Sequence, residues 1–481
     1  MRPWPRILLL CLAPVLSAAP VAAKPDAATF AAIDLAVTQS AGEDVLLALA
    51  QSLAGRAATP PPPPGVPATP VAAKVQTGDM QLALTQLAIL SGSNGHLTLQ
   101  LAQNGQKDAI YLLSGIATLT DLQAAGALVT HQDQVWRLHR PLVIWPGASL
   151  TVNPGEVLEM DAAGGSFVLS FGGLRITGAT LRTGPDRNLV VPAFRPFVLV
   201  TGQGVLDAYD ARFQGLGFPG PVAFRGLSVL TGGVMRPPTP PRVIESHFDA
   251  TGALSVEGAD GLALIGNRFD GGLATAVFIT GGTGITIADN RIRDTADGAG
   301  LRLDGALDDV SITGNMVAGG ARNGIQMDGI IRGLTLAGNV VTGNSGAGIS
   351  ISRATCATIA GNIIAGNGTT GLRLTASGAV SITGNAIFAN HSAGVEVAGQ
   401  TGLPPIRLSD NALRANREGL RAEGLAEIHL QANELAMQTP RQFAGDFAPW
   451  LAAYLSQGED AFVIPAAAGS SHPAFPPCAT E

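Results

Sequence analysis

Eight asparagines recur at a nearly constant interval through the second half of this 481-residue chain. Each lies 22 to 26 residues from the next, and the first seven follow short runs of alternating apolar residues such as LALIGN or VSITGN. The eight are Asn267, Asn290, Asn315, Asn339, Asn362, Asn385, Asn411 and Asn433. A fixed period of this length indicates a solenoid, because each repeat can bury its apolar face only by stacking on the next.

A second motif keeps the same period. It is a small residue followed by aliphatic residues at alternate positions, and it reads AVFI at 276, GLRL at 300 and 371, GIQM at 324, GISI at 348 and GVEV at 394. Alternation with a period of two predicts strands. Several short strands per repeat, without a helix between them, predict an all-β chain that folds as a right-handed parallel β-helix, with a short helical arm at its N-terminus.

The asparagines themselves are predicted to be structural. At a tight bend Asn tolerates left-handed backbone angles, and amides stacked one strand spacing apart, about 4.8 Å, can hydrogen-bond along the axis. The chain has 61 glycines, is 46% hydrophobic and is only 14% charged, which excludes a disordered chain. Its formal net charge is −7, so no nucleic-acid partner is expected, since nucleic acid requires a basic surface.

The first 23 residues have the order of a secretory signal peptide. Arg2 and Arg6 precede an apolar run over residues 7–16, and the small residues Val21 and Ala23 stand where a signal peptidase requires them. We therefore predict a periplasmic or secreted protein. No later segment has the roughly 18 to 20 consecutive apolar residues of a bilayer-spanning helix, so no membrane span is expected in the mature chain.

Composition divides the rest of the chain into five segments. Residues 24–58 have helical spacing and are either a docking segment or disordered, and residues 59–74, with five consecutive prolines, are a predicted linker. Residues 75–130 are predicted to form a mixed N-terminal cap, in which MQLALTQLAIL is a helix and HLTLQLAQ a strand. The β-helix is predicted over residues 131–436, followed by a C-terminal cap and tail over residues 437–481.

The mature chain has two cysteines, Cys356 and Cys478. They could pair in an oxidising compartment, although we favour an unpaired Cys356 inside a packed turn. The sequence contains no zinc-type cluster, phosphate-binding glycine loop or serine nucleophile motif. No metal and no cofactor are therefore expected.

The residues that could carry function are those that point out of the coils. In GLRL the leucines face the interior and the residue between them faces outward. Applied to every repeat, this rule gives two outward columns along one sheet: Phe278, Arg302, Gln326, Ser350, Arg373, Glu396 and Arg421 in the first, and Thr280, Asp304, Asp328, Ser352, Thr375, Ala398 and Glu423 in the second. Two mostly polar columns predict a long shallow groove, which suits an extended polymer.

Six residues of this groove are predicted to bind substrate: Arg302, Asp304, Gln326, Asp328, Arg353 and Arg373. The arginines could meet carboxylates on a polymer. Asp304 and Asp328 lie one coil apart, so like charge could raise the pKa of one of them and suit it to general acid or base catalysis. The alternative is that these residues are polar only because the outer face of a solenoid is solvated, and that alternative stays open.

The segment before the repeats carries a family resemblance. VWRLHRPLVIWPGASLTV, GGLRITGATLRTG, FRPFVLVTG, FQGLGFPGPVAFRGLSVL and PPRVIESHF resemble, in this order, the equivalent blocks of the periplasmic mannuronan C5-epimerases of alginate biosynthesis. The resemblance covers roughly residues 130–420. It implies a right-handed parallel β-helix that binds a uronate polymer along one sheet. It also implies conversion of D-mannuronate to L-guluronate by removal and replacement of the C5 proton.

Two catalytic positions of that family are not matched here. A coil of the family reads Gly-Ile-Asp-Pro-His-Asp, and its histidine transfers the proton. The matching stretch here is AVFITG, with Thr280 in place of the histidine, and one coil later Gly305 stands in place of an arginine. Abstraction at C5 needs a base near the ring and a cation for the carboxylate, and Arg302 could supply the cation. The catalytic residues, and whether the chain is an enzyme, therefore stay open.

Three functional hypotheses follow. The first is an exported β-helix protein that binds or modifies an acidic, alginate-like exopolysaccharide, epimerase-like but without the family's histidine and arginine. The second is a non-catalytic periplasmic scaffold that protects or guides the polymer together with other proteins of a secretion complex. The third is a polysaccharide hydrolase or lyase that uses Asp304 and Asp328.

Overall fold

The computed structural model describes residues 22, 24–38, 42–55, 71–91, 97, 99–100, 106–132, 134–185, 194–218, 221–231, 236–258, 260–466 and 478. Apart from residue 22, the predicted signal peptide lies outside the described residues, as does most of the proline-rich linker. The described part is a right-handed parallel β-helix of about 12 turns, as the sequence predicts.

Each coil passes through three strands, and equivalent strands of successive coils stack into three columns. In five coils one strand continues from the first column into the second: Asp108–Ala117, Val277–Ala288, Leu301–Thr313, Ile325–Ala337 and Ile349–Ala360. Elsewhere the first column consists of Leu142–Ile144, Val168–Ser170, Val198–Thr201, Gly226–Leu230, Ala253–Glu257, Leu372–Thr375, Ala393–Ala398, Glu418–Glu423 and Arg441–Gly445. The second consists of Ala148–Val152, Gly173–Thr177, Val205–Tyr209, Arg242–Ile244, Ala263–Ile265, Gly378–Thr383, Ile406–Ser409 and Ile428–Gln431.

The third column forms a separate sheet on the other side of the coils. Its strands are Val135–Leu138, Val157–Met160, Thr180–Thr183, Arg212–Gln214, His247–Asp249, Arg268–Asp270, Arg291–Arg293, Met316–Ala318, Val340–Thr342, Ile363–Ala365, Ala386–Phe388, Ala412–Arg414 and Glu434–Ala436. Neighbouring strands of this column are parallel and in register, so that equivalent residues of successive coils lie side by side.

Aliphatic residues fill the interior of the coils in continuous rows. One row of the first column is Leu301, Ile325, Ile349, Leu372, Val395 and Leu420, all of them buried. Because each strand sends alternate residues inward, the apolar alternation of the sequence becomes one core that runs along the axis.

The predicted asparagine ladder is present at the turn between the second and third columns. Each side-chain Nδ2 donates to Oδ1 of the next asparagine, at 2.9 to 3.0 Å, from Asn267 through to Asn433. The backbone N–H of each asparagine donates to the same oxygen. These amides therefore satisfy buried polar groups that would otherwise cost free energy, and their role is structural.

A second asparagine ladder was not predicted. Asn344, Asn367, Asn390 and Asn416 stack in the turn that follows the third column, each Nδ2 donating to the next Oδ1 at 3.0 Å. The ladder ends where the backbone N–H of Asn416 donates to Gln438 at 2.8 Å. Its signal in the sequence is the recurrence of GNS, GNG, ANH and ANR at the repeat period.

Two helices, Ala27–Thr38 and Gly42–Leu53, occupy the predicted helical segment and pack on the outer face of the third column. Their buried residues join Met316, Val340 and Ile363 in one apolar cluster. The guanidinium of Arg414 lies 4.3 Å from the centre of the Phe30 ring. The described residues of this segment are therefore helical and pack on the chain's own β-helix, and docking to another protein stays a prediction.

The strand Val71–Asp79 caps the first coil by antiparallel pairing with Asp108–Ala117. The predicted helix is present as Met80–Ser91, and a further helix spans Leu119–Ala124 before the short strand Val129–Gln132. The predicted strand HLTLQLAQ is wrong, because its described residues, Leu97, Leu99 and Gln100, are helical. Apolar alternation over so short a run also fits one face of a buried helix.

The C-terminal cap contains the 3-10 helix Ala448–Trp450, the helix Leu451–Gln457 and the antiparallel strand Phe462–Ile464. Beyond it, Cys478 forms a disulfide with Cys356, with the Cα atoms 5.3 Å apart. The prediction of an unpaired Cys356 is therefore wrong. Cys356 lies at the bend between the first and second columns and is only half-buried, so its sulfur is accessible to a tail that is distant in sequence.

The outer face of the first column is covered in the N-terminal coils. Helix Met80–Ser91 and five phenylalanines form this aromatic cover: Phe167, Phe194, Phe197, Phe218 and Phe224. The ring of Phe197 lies 4.8 Å from those of Phe167 and Phe224. The cover stops before the strand Val277–Ala288, so the outer face of the first column is open in the coils that follow.

Candidate functional site

The open part of the first strand column carries the two rows of outward-pointing residues that the sequence predicts. Strand pairing places Phe278, Arg302, Gln326, Ser350, Arg373, Glu396 and Arg421 side by side, and we call this row the first lane. The second lane is Thr280, Asp304, Asp328, Ser352, Thr375, Ala398 and Glu423. Together the lanes form the floor of a groove parallel to the helix axis.

The second lane begins one coil earlier than predicted. Glu257 pairs with Thr280 and is exposed, so it adds a carboxylate to the N-terminal end of the lane. The signal was available, because LSVEG at 254–258 has the same alternation as the later repeats. Ala253 supplies the small residue before this strand, as Ala276 does in the next coil.

Arg302 is the centre of the charged cluster at the N-terminal end of the groove. Its guanidinium binds Asp304 through two nitrogens, with Nη2 2.9 Å and Nε 3.1 Å from carboxylate oxygens. Nη2 is also 4.0 Å from a carboxylate oxygen of Asp328, an ion pair without a hydrogen bond, and Asp328 accepts hydrogen bonds from Gln326 and Ser352. The guanidinium carbon is 5.7 Å from the centre of the Phe278 ring, within range of a cation–π contact.

The two aspartates are brought together as predicted, but with a cation between them. Arg302 offsets the repulsion between the carboxylates, and its bidentate pair with Asp304 is a strong, geometrically fixed arrangement. Such a pair takes up part of the roughly four acceptor positions of the Asp304 carboxylate. The hypothesis of a hydrolase or lyase that uses Asp304 and Asp328 stays a prediction.

The other lane arginines also pair with carboxylates of the chain. Arg373 binds Glu396 at 3.0 Å, and Glu396 accepts a further hydrogen bond from Thr370 at 2.8 Å. Arg421 binds Glu423 at 2.9 Å, and this hydrogen bond raises the pKa of the guanidinium above its ordinary value. The groove is therefore a row of partly exposed donors and acceptors, in which the lane carboxylates Asp304, Asp328, Glu396, Glu423 and Glu257 outnumber the three lane arginines.

Arg353 differs from the lane residues. It stands at the bend one residue beyond Ser352, with a φ of 57°, and is exposed. Among the described residues it forms no ion pair. Of the six predicted binding residues, five therefore lie on the lanes and Arg353 lies at the edge of the groove, as a cation without a partner in the described chain.

The two positions that hold catalytic groups in the epimerase family are neighbours here. A Cβ on Gly305 would lie 3.5 Å from Cγ2 of Thr280. The histidines whose side chains are described are elsewhere: His139 and His391 in turns, His429 in the second column and His247 in the third. In the described part of the chain, therefore, no histidine replaces the missing one in the groove.

The described residues contain no group of three or more His, Cys, Asp or Glu side chains arranged to hold a metal ion. No helix in the described ranges is both long and apolar enough to cross a bilayer.

The fold and groove define a class of protein: a right-handed parallel β-helix with an open polar face on one sheet. A family model described as the right handed beta helix region matches residues 251–434. Curated protein sequences give no significant match to the chain.

Among solved structures, the periplasmic alginate epimerase AlgG is similar in fold. It aligns with a TM-score of 0.65 and 18% identity over 78% of this chain and 94% of that chain. A variant of the same epimerase aligns with a TM-score of 0.64 and 18% identity over 77% of this chain and 93% of that chain. The fold that the sequence resemblance implies is therefore confirmed.

Proposed function

We propose that this protein is exported and binds an acidic, alginate-like exopolysaccharide along the two lanes, without epimerising it as the periplasmic epimerases do. The observation that carries the proposal is the pair of polar lanes, which run open from Arg302 to Arg421. Support also comes from the fold, which is similar to that of a periplasmic alginate epimerase. A groove of this length fits an extended chain better than a compact metabolite.

Carboxylate recognition is assigned to the middle of the groove. Arg353 has a guanidinium with no partner among the described residues, and the side chain of Arg373 is 42% exposed. Between them lie the hydroxyls of Ser352 and Thr375, which pair across the strands. Guanidinium groups bind carboxylates in a charge-assisted, bidentate way, and the hydroxyls can bond to sugar hydroxyls. This combination matches a uronate polymer.

The lack of epimerase chemistry follows from the same geometry. Thr280 and Gly305 carry no titratable side chain, and Asp304 is engaged by Arg302. Proton abstraction at C5 requires a base with an available lone pair near the sugar ring. The protein then acts as a polysaccharide-binding protein, which agrees with the scaffold hypothesis. Its association with other proteins of a secretion complex stays a prediction.

One experiment tests both parts of the proposal. Purified mature protein is titrated calorimetrically with mannuronan and with dextran, a neutral glucan, and the mannuronan is then examined by NMR. We expect binding of mannuronan, no binding of dextran and no guluronate signals above a protein-free blank. Equal binding of dextran would contradict the acidic ligand, and absence of all binding would contradict the polysaccharide.

The NMR spectra also separate the catalytic alternatives. Guluronate signals would overturn the non-epimerase part, and the exposed Glu257 beside Thr280 would become the first base to substitute, as Glu257→Gln. New chain ends would instead support the hydrolase or lyase hypothesis, and loss of that cleavage in Asp304→Asn would assign it to the predicted residue.

A further inference from the structure

The groove ends at a wall on its N-terminal side. Upstream of Phe278 the first lane continues as Ser255, Ser228, Leu199, Leu169, Val143 and Tyr111, all of them at most 3% exposed. The aromatic cover lies over the last four. The hydroxyl of Ser228 donates at 3.2 Å to the carbonyl of Val222, in the short 3-10 helix Val222–Phe224. A polymer in the first lane therefore cannot continue past this point.

A pocket lies where the open first lane meets the wall. Its volume is about 560 Å³, within the roughly 300–1,000 Å³ of small-ligand sites. Phe218 and Arg225 line it from the side of the wall, whereas Arg302 and Gln326 belong to the first lane, so the pocket opens into the groove. Gly298 keeps one corner open, because its φ is 119° and a Cβ there would lie 2.5 Å from Oγ1 of Thr275.

We propose that this pocket holds the terminal sugar of an acidic polysaccharide, so that the groove takes one end of a chain and not its middle. The inference rests on the proposed function and adds to it the mode of binding. The pocket lining includes the guanidinium groups of Arg302 and Arg322, which pair with Asp304 at 2.9 Å and with Asp297 at 3.3 Å. Both side chains stay partly exposed and a guanidinium has five N–H donors, so each can also donate to a carboxylate or a hydroxyl of a bound sugar.

The apolar part of the lining completes the match to a sugar. Leu273 lines the pocket and is 41% exposed, so it presents carbon surface against which the C–H face of a pyranose ring can pack. A few convergent polar groups in a partly apolar cleft are the usual features of a site that fixes one orientation of its ligand. One of the two chemically different chain ends is therefore bound and the other is not.

Stoichiometry separates binding of a chain end from binding along the chain. Long mannuronan chains of one narrow length class and a short mannuronate oligomer are titrated calorimetrically into the intact protein. End binding predicts one protein per chain for both ligands and the same affinity per mole of chains. Several proteins per long chain would overturn the inference and leave the proposed function intact. If neither ligand binds, the proposed function fails and the inference fails with it.

A filled pocket gives an independent test. Thr275→Trp places an indole in the pocket, and Thr358→Trp, at an exposed position of the second column, is the matched control. We expect Thr275→Trp to weaken oligomer binding by about tenfold or more, which is about 1.4 kcal/mol, and Thr358→Trp to bind as the wild type does. Arg322→Ala removes a largely exposed guanidinium and should show the same loss if the tryptophan variant does not fold. Wild-type affinity in Arg322→Ala or in folded Thr275→Trp would contradict the pocket.

Discussion

The coils over residues 110–257 and those over 277–431 have the same three columns but differ in what lies on the outer face of the first. In the N-terminal coils the row Tyr111, Val143, Leu169 and Leu199 is buried under the aromatic cover. In the C-terminal coils the continuation of that row is the first lane, in which Arg302 and Arg373 reach solvent. A single row of paired residues is therefore core in one half and partly exposed polar surface in the other.

The two halves also differ inside the turn that precedes the third column. The turn positions are Glu156, Ala179 and Ala211 in the N-terminal coils, and the asparagine ladder begins only at Asn267. An outer layer lies on the first column in the N-terminal half and on the third column in the C-terminal half, where the helices Ala27–Thr38 and Gly42–Leu53 pack. The C-terminal half also has amide ladders in its turns, and the outer face of its first column is open.

Removal of a ring from the aromatic cover should have the largest effect on stability. Phe197 is fully buried between Phe167 and Phe224, so Phe197→Ala should lower the free energy of unfolding by about 4 kcal/mol. Phe278→Ala removes a ring from the outer face of the first column in the open half, where the ring is half-buried, and should cost only about 1 kcal/mol. Denaturant unfolding measures both variants. Equal losses would contradict the division of this outer face into a covered and an open part.

Interruption of the asparagine ladder should have the next largest effect. Asn339 accepts hydrogen bonds from Asn315 and donates to Ile312 and Asn362. Asn339→Ala leaves these buried groups without partners and should cost about 3 kcal/mol, since each such group costs about 1–3 kcal/mol. Hydrogen exchange read by mass spectrometry should show faster exchange in the neighbouring C-terminal coils. Ser311→Ala, on the outer face of the second column, is the control and should change stability by no more than about 0.5 kcal/mol. A hydrogen-exchange rate in Asn339→Ala equal to that of the wild type would contradict the stabilising role of the asparagine ladder.

Acid should weaken the N-terminal half through Glu159. Burial alone would raise the pKa of Glu159, but hydrogen bonds from Arg137 and Arg182 outweigh it, so the pKa lies below its ordinary value of 4.5. The stability that this group contributes is present above pH 4.5 and is lost as pH falls through the lowered pKa. Glu159→Gln should cost about 2 kcal/mol at neutral pH.

The pH series supplies the check on this prediction. The difference in unfolding free energy between wild type and Glu159→Gln should shrink as the pH is lowered below 4.5. A difference that stays constant between neutral and acidic pH would contradict a charged Glu159 as its source.

Substitution of an arginine in the groove should have the smallest effect, and this effect should be on the affinity for mannuronan and not on stability. Arg373→Ala should weaken mannuronan binding by about tenfold, or about 1.4 kcal/mol, because it removes a donor and leaves the charge of Glu396 uncompensated. Arg407→Ala, at an exposed position of the second column, is the matched control and should bind as the wild type does. An equal loss in both variants would indicate a nonspecific charge effect.

Repetition explains which features could be predicted from the sequence. The asparagine ladder and both lanes follow from a period and an alternation that are visible without a structure, and the positions of Arg302 and Asp304 follow from them. The aromatic cover could not be predicted in this way. Its phenylalanines and the helix Met80–Ser91 come from non-repeating segments that are brought together only by the stacking of coils.

The wrong predictions share the same cause. Cys356 lies in a repeat, but its partner Cys478 is 122 residues away in a tail without a repeat. Around Leu99 apolar and polar residues alternate, but the pattern does not recur at the repeat period. Leu99 is a helical residue, buried in the cluster that contains the aromatic cover. In the candidate site, pairing of Arg302 with Asp304 depends on side-chain directions that a register alone does not give.

Chemical footprinting of arginines tests most directly the claim that the open half of the first column is the ligand surface. The protein is labelled with an arginine-selective dicarbonyl reagent, with and without saturating mannuronan, and the modified positions are read by mass spectrometry. We predict that mannuronan protects Arg302, Arg353 and Arg373, while Arg407 in the second column and Arg268 in the third are modified equally in both samples. Protection of Arg407 or Arg268, or unchanged labelling of the three groove arginines, would contradict the account.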